Sequence, residues 1–260
     1  MARSSYYYHL KTRSVLHKHD VTGERISYIY HRHKGRYGYR RIALEMRNEG
    51  HLVNHKTVLK LMGALGLKSL IRRKRYRSYR GEIGAVAPNL LQRDFSSIRP
   101  LQKWATDITE FRVRDKKLYL SPVIELFNGE IISYSLSESP NFKQVADMLK
   151  GAFAKLGTQE RPILHSDQGW QYQMRKYQQM LNEKGIRQSM SRKGNCLDNA
   201  VIENFFGIIK SELFYLKKYS EIKELKKDIE EYIQYYNNDR IKLSLKGMSP
   251  IKYRAHYINS

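Results

Sequence analysis

From residue 101 onward the sequence alternates between strand-like and helix-like patterns, and this alternation limits the fold more than any other feature. Five strands are predicted, at residues 103–113, 118–126, 130–136, 163–167 and 186–190. Asn128-Gly129 lies between the second and third strands and predicts a two-residue hairpin turn. An antiparallel hairpin followed by further strands and helices predicts an α/β fold with a mixed sheet flanked by helices.

Helices are predicted where apolar residues recur at helical spacing behind a residue suited to an N-cap. In this part of the chain they cover residues 141–156, 174–184, 198–214 and 220–236. Asn141, Asp198 and Ser220 are the expected N-caps of three of these helices.

The N-terminal part of the chain has a different pattern. Residues 1–66 indicate short helices, among them 37–47 and, behind the N-cap Asn54, 55–65. Lys56, Thr57 and Lys60 lie outside the apolar stripe of that second helix. Two short helices joined by a tight turn, with cations on the second, fit a helix-turn-helix in which these three residues contact DNA. Many small helical pairs share this pattern and never touch DNA.

The chain is strongly basic. Its 260 residues include 48 Lys and Arg against 25 Asp and Glu, a net charge of +23, and residues 1–80 hold 20 of those cations with 4 acids. Such an excess favours a polyanionic partner, and RNA stays open on charge alone. A membrane surface would call for a basic amphipathic helix or a lipidation signal, and we find neither. A single cysteine, Cys196, excludes an internal disulfide framework.

A run of cations at residues 68–80 follows the predicted helix-turn-helix. It is too charged to be buried, so it is either a solvated linker or an arm that follows DNA phosphates. Its position between two predicted domains favours the arm. The expected DNA-binding cations in it are Arg72, Arg73, Lys74 and Arg75.

Three acids far apart in the sequence stand out against these predicted elements. Asp107 lies in the first strand, Asp167 ends the fourth, and Glu203 lies inside a helix. Each alone has an ordinary reading as a strand-edge acid, a turn residue or a surface helix acid. Together they predict a site that holds divalent cations against a phosphodiester, because Mg²⁺ prefers oxygen ligands and clustered carboxylates otherwise repel one another.

Four residues near these acids receive roles from their positions. Lys210 follows Glu203 by nearly two helical turns on the same face and is expected to reach the DNA backbone. Asn199, one turn before Glu203, is expected to orient substrate or water. His165 either orients a metal ligand or is a strand histidine with satisfied hydrogen bonds. Asp198 is expected to cap a helix rather than to bind metal.

Three segments, residues 104–109, 165–172 and 189–206, closely resemble bacterial insertion-sequence transposases. More narrowly, they look like the second-reading-frame product of the group related to retroviral integrases. The spacing of 35 residues between Asp167 and Glu203, with Lys210 seven beyond, also matches that group. Further similar stretches are residues 34–42, 235–240 and 247–250.

The resemblance implies a ribonuclease-H-like core at residues 101–260 with a C-terminal helix, a basic linker at 67–100 and a DNA-binding helix-turn-helix region at 1–66. It implies a catalytic triad of Asp107, Asp167 and Glu203 that binds Mg²⁺ (or Mn²⁺), with two ions expected. It also implies two chemical steps. Water nicks the element end, and the freed 3′-hydroxyl attacks another phosphodiester with no covalent enzyme intermediate.

The same resemblance implies the partners. They are DNA, as element ends and target, and a second copy of the chain, because two ends must be brought together. An upstream first-frame product that recognises the terminal repeats is a further expected partner, and no leucine-zipper heptad of that kind occurs in this chain. We expect a location in the bacterial cytoplasm at the nucleoid, with no membrane contact. The alternatives are a non-catalytic DNA-binding regulator and a plain nuclease.

Overall fold

The computed structural model describes residues 21–70, 86–192 and 196–259, and it gives no side-chain placement at 193–197. Packing divides the chain into two compact units. The helical unit holds the described residues up to 70 together with 241–248, and the α/β unit holds the rest. The predicted boundaries at residues 66 and 100 stay predictions. The basic run Arg72–Arg75 lies outside the described residues.

Three helices form the helical unit. They are α1 (residues 21–32), α2 (Tyr39–Asn48) and α3 (His55–Ala64). The predicted N-cap of α3 is confirmed, because the side chain of Asn54 accepts a hydrogen bond of 2.8 Å from the backbone N–H of Lys56. One apolar core joins the three helices and includes the buried residues Ile29, Met46 and Val58.

A late stretch of the chain completes this small core. Ile241 is buried, and its N–H donates a hydrogen bond of 3.0 Å to the hydroxyl of Tyr37, 204 positions earlier. The side-chain amide of Asn48 donates to the carbonyl of Gly247 at 3.0 Å. The helical unit therefore depends on residues 241–248 for part of its core.

A six-stranded mixed sheet forms the centre of the α/β unit. Its strands are β1 (Lys103–Thr106), β2 (Thr109–Val113), β3 (Lys116–Glu125), β4 (Ile131–Ser137), β5 (Ile163–Ser166) and β6 (Arg187–Met190). Its helices are α4 (Phe142–Phe153), α5 (Arg175–Glu183), α6 (Ala200–Glu212), α7 (Ile222–Asn238) and α8 (Pro250–Ile258).

The sheet combines an antiparallel half with a parallel half. β1 and β2 pair with β3 in one continuous antiparallel register, and β4 pairs with the other edge of β3. On its other side β1 pairs in parallel with β5, and β5 in parallel with β6. β1 and β2 together replace the single strand predicted at 103–113, which is interrupted at Asp107 and Ile108. The same register places Asp107 opposite Pro122, which has no N–H to give to the ladder.

Two apolar cores cover the two faces of the sheet. Ala105 belongs to the core shared with α6 and α7, where it joins Phe205. Trp104, the preceding residue, points to the core shared with α4 and α5, where it joins Leu149. This alternation is the period of a strand buried on both sides, and it gives three layers with the sheet in the middle. None of the described helices is long and apolar enough to cross a membrane.

One turn prediction and two cap predictions are corrected by the structure. The hairpin at Asn128-Gly129 is present, but its loop has four residues, because the N–H of Glu125 donates to the carbonyl of Glu130 at 2.8 Å. The N-cap positions of α6 and α7 are Asn199 and Glu221 rather than the predicted Asp198 and Ser220, and neither residue forms a side-chain cap bond. The cap of α4 is as predicted, with Asn141 accepting from the N–H of Gln144 at 3.0 Å.

Polar contacts at the end of α7 tie this helix to the rest of the α/β unit. The side chain of Asn237 accepts from the N–H of Ile131 at 2.9 Å and donates to its carbonyl at 3.0 Å, as a neighbouring strand would. Arg240 forms a buried ion pair with Glu212, with 2.7 Å between Nη2 and Oε1. Breaking one partner of such a pair costs about 3–5 kcal/mol, because the other charge stays buried.

Gly247 tests the contribution of residues 241–248 to the helical unit. Its φ of +81° disfavours other residues, and an added Cβ would lie 2.9 Å from Cγ of Leu44. We expect Gly247→Ala to lower the free energy of unfolding by about 1–3 kcal/mol, measured by thermal denaturation. The control is Gly63→Ala in α3, where the new Cβ meets no atom within 4 Å. That variant should gain roughly 0.5–1 kcal/mol. A Gly247→Ala protein as stable as wild type would contradict this account.

Candidate active site

Two acids follow directly after neighbouring parallel strands. β1 ends at Thr106 and is followed by Asp107, and β5 ends at Ser166 and is followed by Asp167. Ala105 lies opposite His165 in the register, so each aspartate comes two positions after a paired residue. Because the carboxyl ends of parallel strands meet at one edge of a sheet, both carboxylates are presented at the same edge.

The carboxylate of Asp107 is held by two N–H donors. Its Oδ1 accepts a hydrogen bond of 2.7 Å from the backbone N–H of Ile108. Its Oδ2 accepts a longer one of 3.3 Å from the side-chain amide of Asn199. Asn199 is the N-cap residue of α6, and Glu203 lies in the first turn of that helix. The start of α6 is therefore tied directly to the end of β1.

Asp167 sits in a tight turn. Its Oδ1 accepts a hydrogen bond of 2.9 Å from the N–H of Gly169. A Cβ added at Gly169 would lie 2.9 Å from the same oxygen and 2.6 Å from Nε2 of Gln171, so a larger residue would displace these side chains. A short 3-10 turn, Trp170–Tyr172, follows, and it places the ring of Tyr172 in the core beneath the site.

The three carboxylates act on one another. Burial raises the pKa of Asp107 well above its ordinary value, and the charges of Asp167 and Glu203 raise it further. Burial also raises the pKa of Asp167. The pKa of Glu203 is raised by burial and then by the charge of Asp167. Like charges that cannot separate favour the protonated form of a carboxyl group. A bound cation or a proton would therefore stabilise the cluster.

Lys210 supplies positive charge at the same place. Its ammonium lies 5.5 Å from the centre of the Phe111 ring. Burial lowers its pKa, while the charges of Glu110 and Asp107 act in the opposite direction. Lys210 is thus partly buried beside Asp107, on the face of α6 that carries Glu203, and its predicted contact with the DNA backbone stays a prediction.

The described residues contain no group of three acidic, histidine or cysteine side chains already close enough to form a metal site. The predicted convergence of Asp107, Asp167 and Glu203 into a set of metal ligands thus stays a prediction, which the mutual effect of their charges on their pKa values supports. Repulsion between carboxylates is a physical reason for side chains to stand apart until a cation lies between them.

A chain of hydrogen bonds next to Asp167 gives His165 a definite role. Its Nδ1 lies 2.8 Å from the hydroxyl of Ser189, and its Nε2 lies 2.8 Å from the carbonyl of Asp198. A carbonyl only accepts, so Nε2 carries the hydrogen and Nδ1 accepts from the hydroxyl. Burial lowers the pKa of His165, which favours this neutral form. Of the two readings of His165, the structure shows the satisfied strand histidine.

Asp198 is a residue of the site whose role the sequence assigned wrongly. It is 1% exposed, and its carboxylate binds the side chains of Arg93, Arg192 and Asn89 instead of capping α6. Hydrogen bonds from the arginines hold its pKa far below the usual range. Arg93 lies 105 positions away, and no local pattern in the sequence connects the two residues.

The predicted DNA-binding residues of the helical unit lie on α3. Lys56 and Lys60 are exposed and Thr57 is half-buried, while Val58 and Met62 face the core. The helix therefore presents its cations away from the apolar stripe, as predicted. Their contact with DNA stays a prediction, and the predicted contacts of Arg72, Arg73, Lys74 and Arg75 fall on residues outside the described part of the chain.

Comparison with known proteins decides the family. Residues 98–196 and 203–258 match two integrase core domain families, and residues 19–75 match a helix-turn-helix-like domain family. The chain is 62% identical over 252 residues to the InsK protein of insertion sequence element IS150 from Escherichia coli K12, a chain named as a transposase. That match covers 97% of this chain and 89% of the relative. The chain belongs to the bacterial insertion-sequence transposases.

A second relative agrees with this assignment, and a solved structure shares the fold. The transposase of insertion sequence element IS904 from Lactococcus lactis is 36% identical over 233 residues, which cover 89% of this transposase and 92% of the relative. A solved structure of the HTLV-2 integrase catalytic core domain in complex with magnesium, in a trimeric form, has a TM-score of 0.50 and 19% identity. It matches 60% of this chain and 98% of that domain, and it shows the shared ribonuclease-H-like fold.

Charge repulsion at the site predicts that this transposase gains stability when one acid is neutralised. The raised pKa of Asp107 means that the folded protein holds a proton that the unfolded chain loses near pH 3.8. The metal-free fold therefore loses stability as pH rises through the interval above that value. We expect Asp107→Asn to raise Tm by about 2–4 °C at pH 7.5 in EDTA, the shift given by about 1 kcal/mol in a domain of this size.

The matched control is Asp115→Asn, an exposed acid in the turn between β2 and β3. It should leave Tm unchanged at every pH. The difference between Asp107→Asn and wild type should widen from pH 4 to pH 8. A constant difference, or a destabilised Asp107→Asn protein, would show that the three charges do not repel one another in the folded state.

Proposed function

We propose that this transposase nicks and joins DNA strands at a site in which Asp107, Asp167 and Glu203 are the catalytic residues and the metal ligands. The observation that carries the proposal is the meeting of the first two acids at one edge of the parallel strands, within electrostatic reach of the third. Membership in the insertion-sequence transposases supports the same reaction class.

The donor atoms of the site suit Mg²⁺ or Mn²⁺. All three acids offer hard oxygen ligands, which both ions prefer. Asn199 adds another oxygen, because its Oδ1 is buried and has no hydrogen-bond partner among the described residues. When two such ions are bound, they neutralise charge on the phosphate and activate the attacking oxygen.

The reaction needs no energy source besides the bonds exchanged. In the first step water attacks a phosphorus at the element end, and the P–O bond to the 3′-oxygen breaks, leaving a free 3′-hydroxyl. In the second step that hydroxyl attacks a target phosphorus, a new P–O bond replaces the one broken in the target, and the displaced target oxygen leaves as a 3′-hydroxyl. Asn199 positions the carboxylate of Asp107, and Lys210 offers positive charge to the backbone of the bound strand.

DNA recognition falls to the helical unit and the basic run in this proposal. α3 exposes Lys56 and Lys60 for contacts with phosphates, with Thr57 beside them. Arg72, Arg73, Lys74 and Arg75 extend these contacts along the backbone. Two element ends must be joined in one complex, so we expect at least a dimer on DNA. An upstream first-frame product is a further proposed partner, and the nucleoid the proposed place of action.

Removing one carboxylate at a time tests the site. We expect Asp107→Asn, Asp167→Asn and Glu203→Gln each to lower the rate of strand nicking in Mg²⁺ by about a thousandfold or more. A metal-ion site contributes several kcal/mol to the transition state, and about 1.4 kcal/mol corresponds to tenfold. DNA affinity in EDTA should stay within a few-fold of wild type, and Asp115→Asn should nick normally. Full activity in any of the three variants would refute the assignment and favour a non-catalytic regulator.

The products distinguish a transposase reaction from simple hydrolysis. Labelled element-end DNA is incubated with wild-type protein, Mg²⁺ and a supercoiled target, and the products are separated on denaturing gels. We expect labelled strands covalently joined to the target, with the joining dependent on a 3′-hydroxyl. Cleaved ends without joined strands, under conditions that give nicking, would favour a plain nuclease.

The salt dependence of DNA binding tests the role of α3. For each phosphate neutralised, the slope of log affinity against log salt changes by about 0.9. The double variant Lys56→Ala/Lys60→Ala should reduce the magnitude of the slope by about 1.8 for duplex DNA. Lys226→Ala, an exposed lysine on α7, should leave it unchanged. An unchanged slope in the double variant would remove these two lysines from the DNA interface.

A further inference from the structure

Asp198 is the centre of a compact polar cluster beside the proposed active site. Its Oδ1 accepts from Nε of Arg93 at 2.9 Å and from Nη2 of Arg192 at 3.1 Å. Its Oδ2 accepts from Nε of Arg192 at 2.9 Å, from the Arg192 N–H at 3.1 Å and from the amide of Asn89 at 3.1 Å. One buried carboxylate thus fixes two guanidinium groups.

Both guanidinium groups also face solvent. The side chain of Arg93 is 45% exposed and that of Arg192 is 59% exposed, whereas that of Asp198 is 0% exposed. The hydrogen bonds in the described part of the chain engage only Nε of Arg93, so its two terminal nitrogens remain available. Arg192 keeps Nη1. The cluster carries a net charge of +1, with the acid underneath and the cations outside.

The sheet topology places this cluster at the edge that carries the proposed metal ligands. β6 runs parallel to β5 and ends at Met190, which lies opposite Ser166 in the register. Arg192 follows two residues after that strand end, and Asp167 follows one residue after Ser166. The carbonyl of Asp198 is bound to His165 on β5. Arg192 and Asp167 therefore leave adjacent parallel strands on the same side.

A strained turn places Arg93 in this cluster. Gln92 and Arg93 have φ values of +48° and +68°, a backbone conformation that residues other than glycine rarely adopt. The N–H of Gln92 donates to the side chain of Asn89 at 2.9 Å. Leu90 donates to the Ser189 hydroxyl at 2.9 Å, which fixes the turn to β6. Strain of this kind persists only where surrounding contacts hold it.

We propose that Arg93 and Arg192 form a phosphate clamp that holds the backbone of the DNA strand entering the active site, with Asp198 setting their geometry. This inference rests on the proposed function, since it assigns the clamp to the DNA bound for nicking and joining. Guanidinium groups bind phosphate oxygens through two parallel N–H donors, so they position a strand as well as attract it. Arginines already fixed by a buried acid lose little side-chain entropy on binding.

The experiment measures duplex affinity against salt in EDTA, where no chemistry occurs, for wild type, Arg93→Gln, Arg192→Gln and Arg187→Gln. Arg187 is exposed at the opposite end of β6, so its variant carries the same charge change away from the site. We expect the clamp variants each to bind more weakly and to lose about 0.9 from the magnitude of the log–log slope. Arg187→Gln should match wild type. Unchanged slopes in both clamp variants would overturn the proposal and leave the arginines with a structural role alone.

A second measurement maps the bound phosphates, first on the intact wild-type protein, in which no buried charge pair is broken, and then on Arg192→Gln. Single methylphosphonates, which remove one phosphate charge each, are placed along the element-end DNA. We expect one or two neighbouring positions near the nicking site to weaken wild-type binding at least about tenfold, and to have little further effect on Arg192→Gln. A uniform response along the strand, or equal losses in both proteins, would overturn the clamp.

These outcomes are separate from those of the proposed chemistry. If Asp107→Asn nicks DNA normally while the clamp variants lose affinity, the catalytic assignment fails and the clamp stands. If Asp107→Asn is inactive while the clamp variants bind with wild-type slopes, the clamp fails and the catalytic assignment stands.

Discussion

Mutual repulsion between Asp107, Asp167 and Glu203 is the constraint that the α/β unit has to satisfy. Two of these acids leave adjacent parallel strands, so the backbone ladder determines their separation. Backbone N–H groups of Ile108 and Gly169 donate to the two aspartates and offset part of the repulsion. Glu203 lies in the first turn of α6, where the positive end of the helix dipole favours an acid. The remaining charge is what a divalent cation would neutralise.

α6 can hold Glu203 near the two aspartates, despite their repulsion, because both ends of the helix are fixed. Just before the start of α6, the carbonyl of Asp198 is bound to His165 on β5, and the carboxylate of Asp198 is bound to two arginines. At its end, Glu212 forms a buried ion pair with Arg240 and accepts a hydrogen bond of 2.8 Å from the hydroxyl of Tyr232. Buried, satisfied polar networks of this kind specify one arrangement, and here they fix the helix that presents Glu203.

Much of the fold could be predicted from the sequence, because strand and helix patterns are local. Distinctive motifs indicate the three acids, and their catalytic role stays a proposal. Long-range pairings could not. The break in the first strand at Asp107 coincides with the position of Pro122 across the ladder. Ile241 contributes to a core built 204 positions earlier. Asp198 has the residue type and position of a helix cap, yet its partner Arg93 is a distant arginine that no local pattern indicates.

The position of bound Mn²⁺ tests the central claim most directly. Crystals of the protein with element-end DNA and Mn²⁺ would be measured at a wavelength where manganese scatters anomalously. The account predicts one or two anomalous peaks among the side-chain oxygens of Asp107, Asp167 and Glu203, with ligand distances of about 2.0–2.6 Å, the range of oxygen ligands around Mg²⁺ and Ca²⁺. Strong manganese peaks elsewhere, with no density between these three acids, would contradict it.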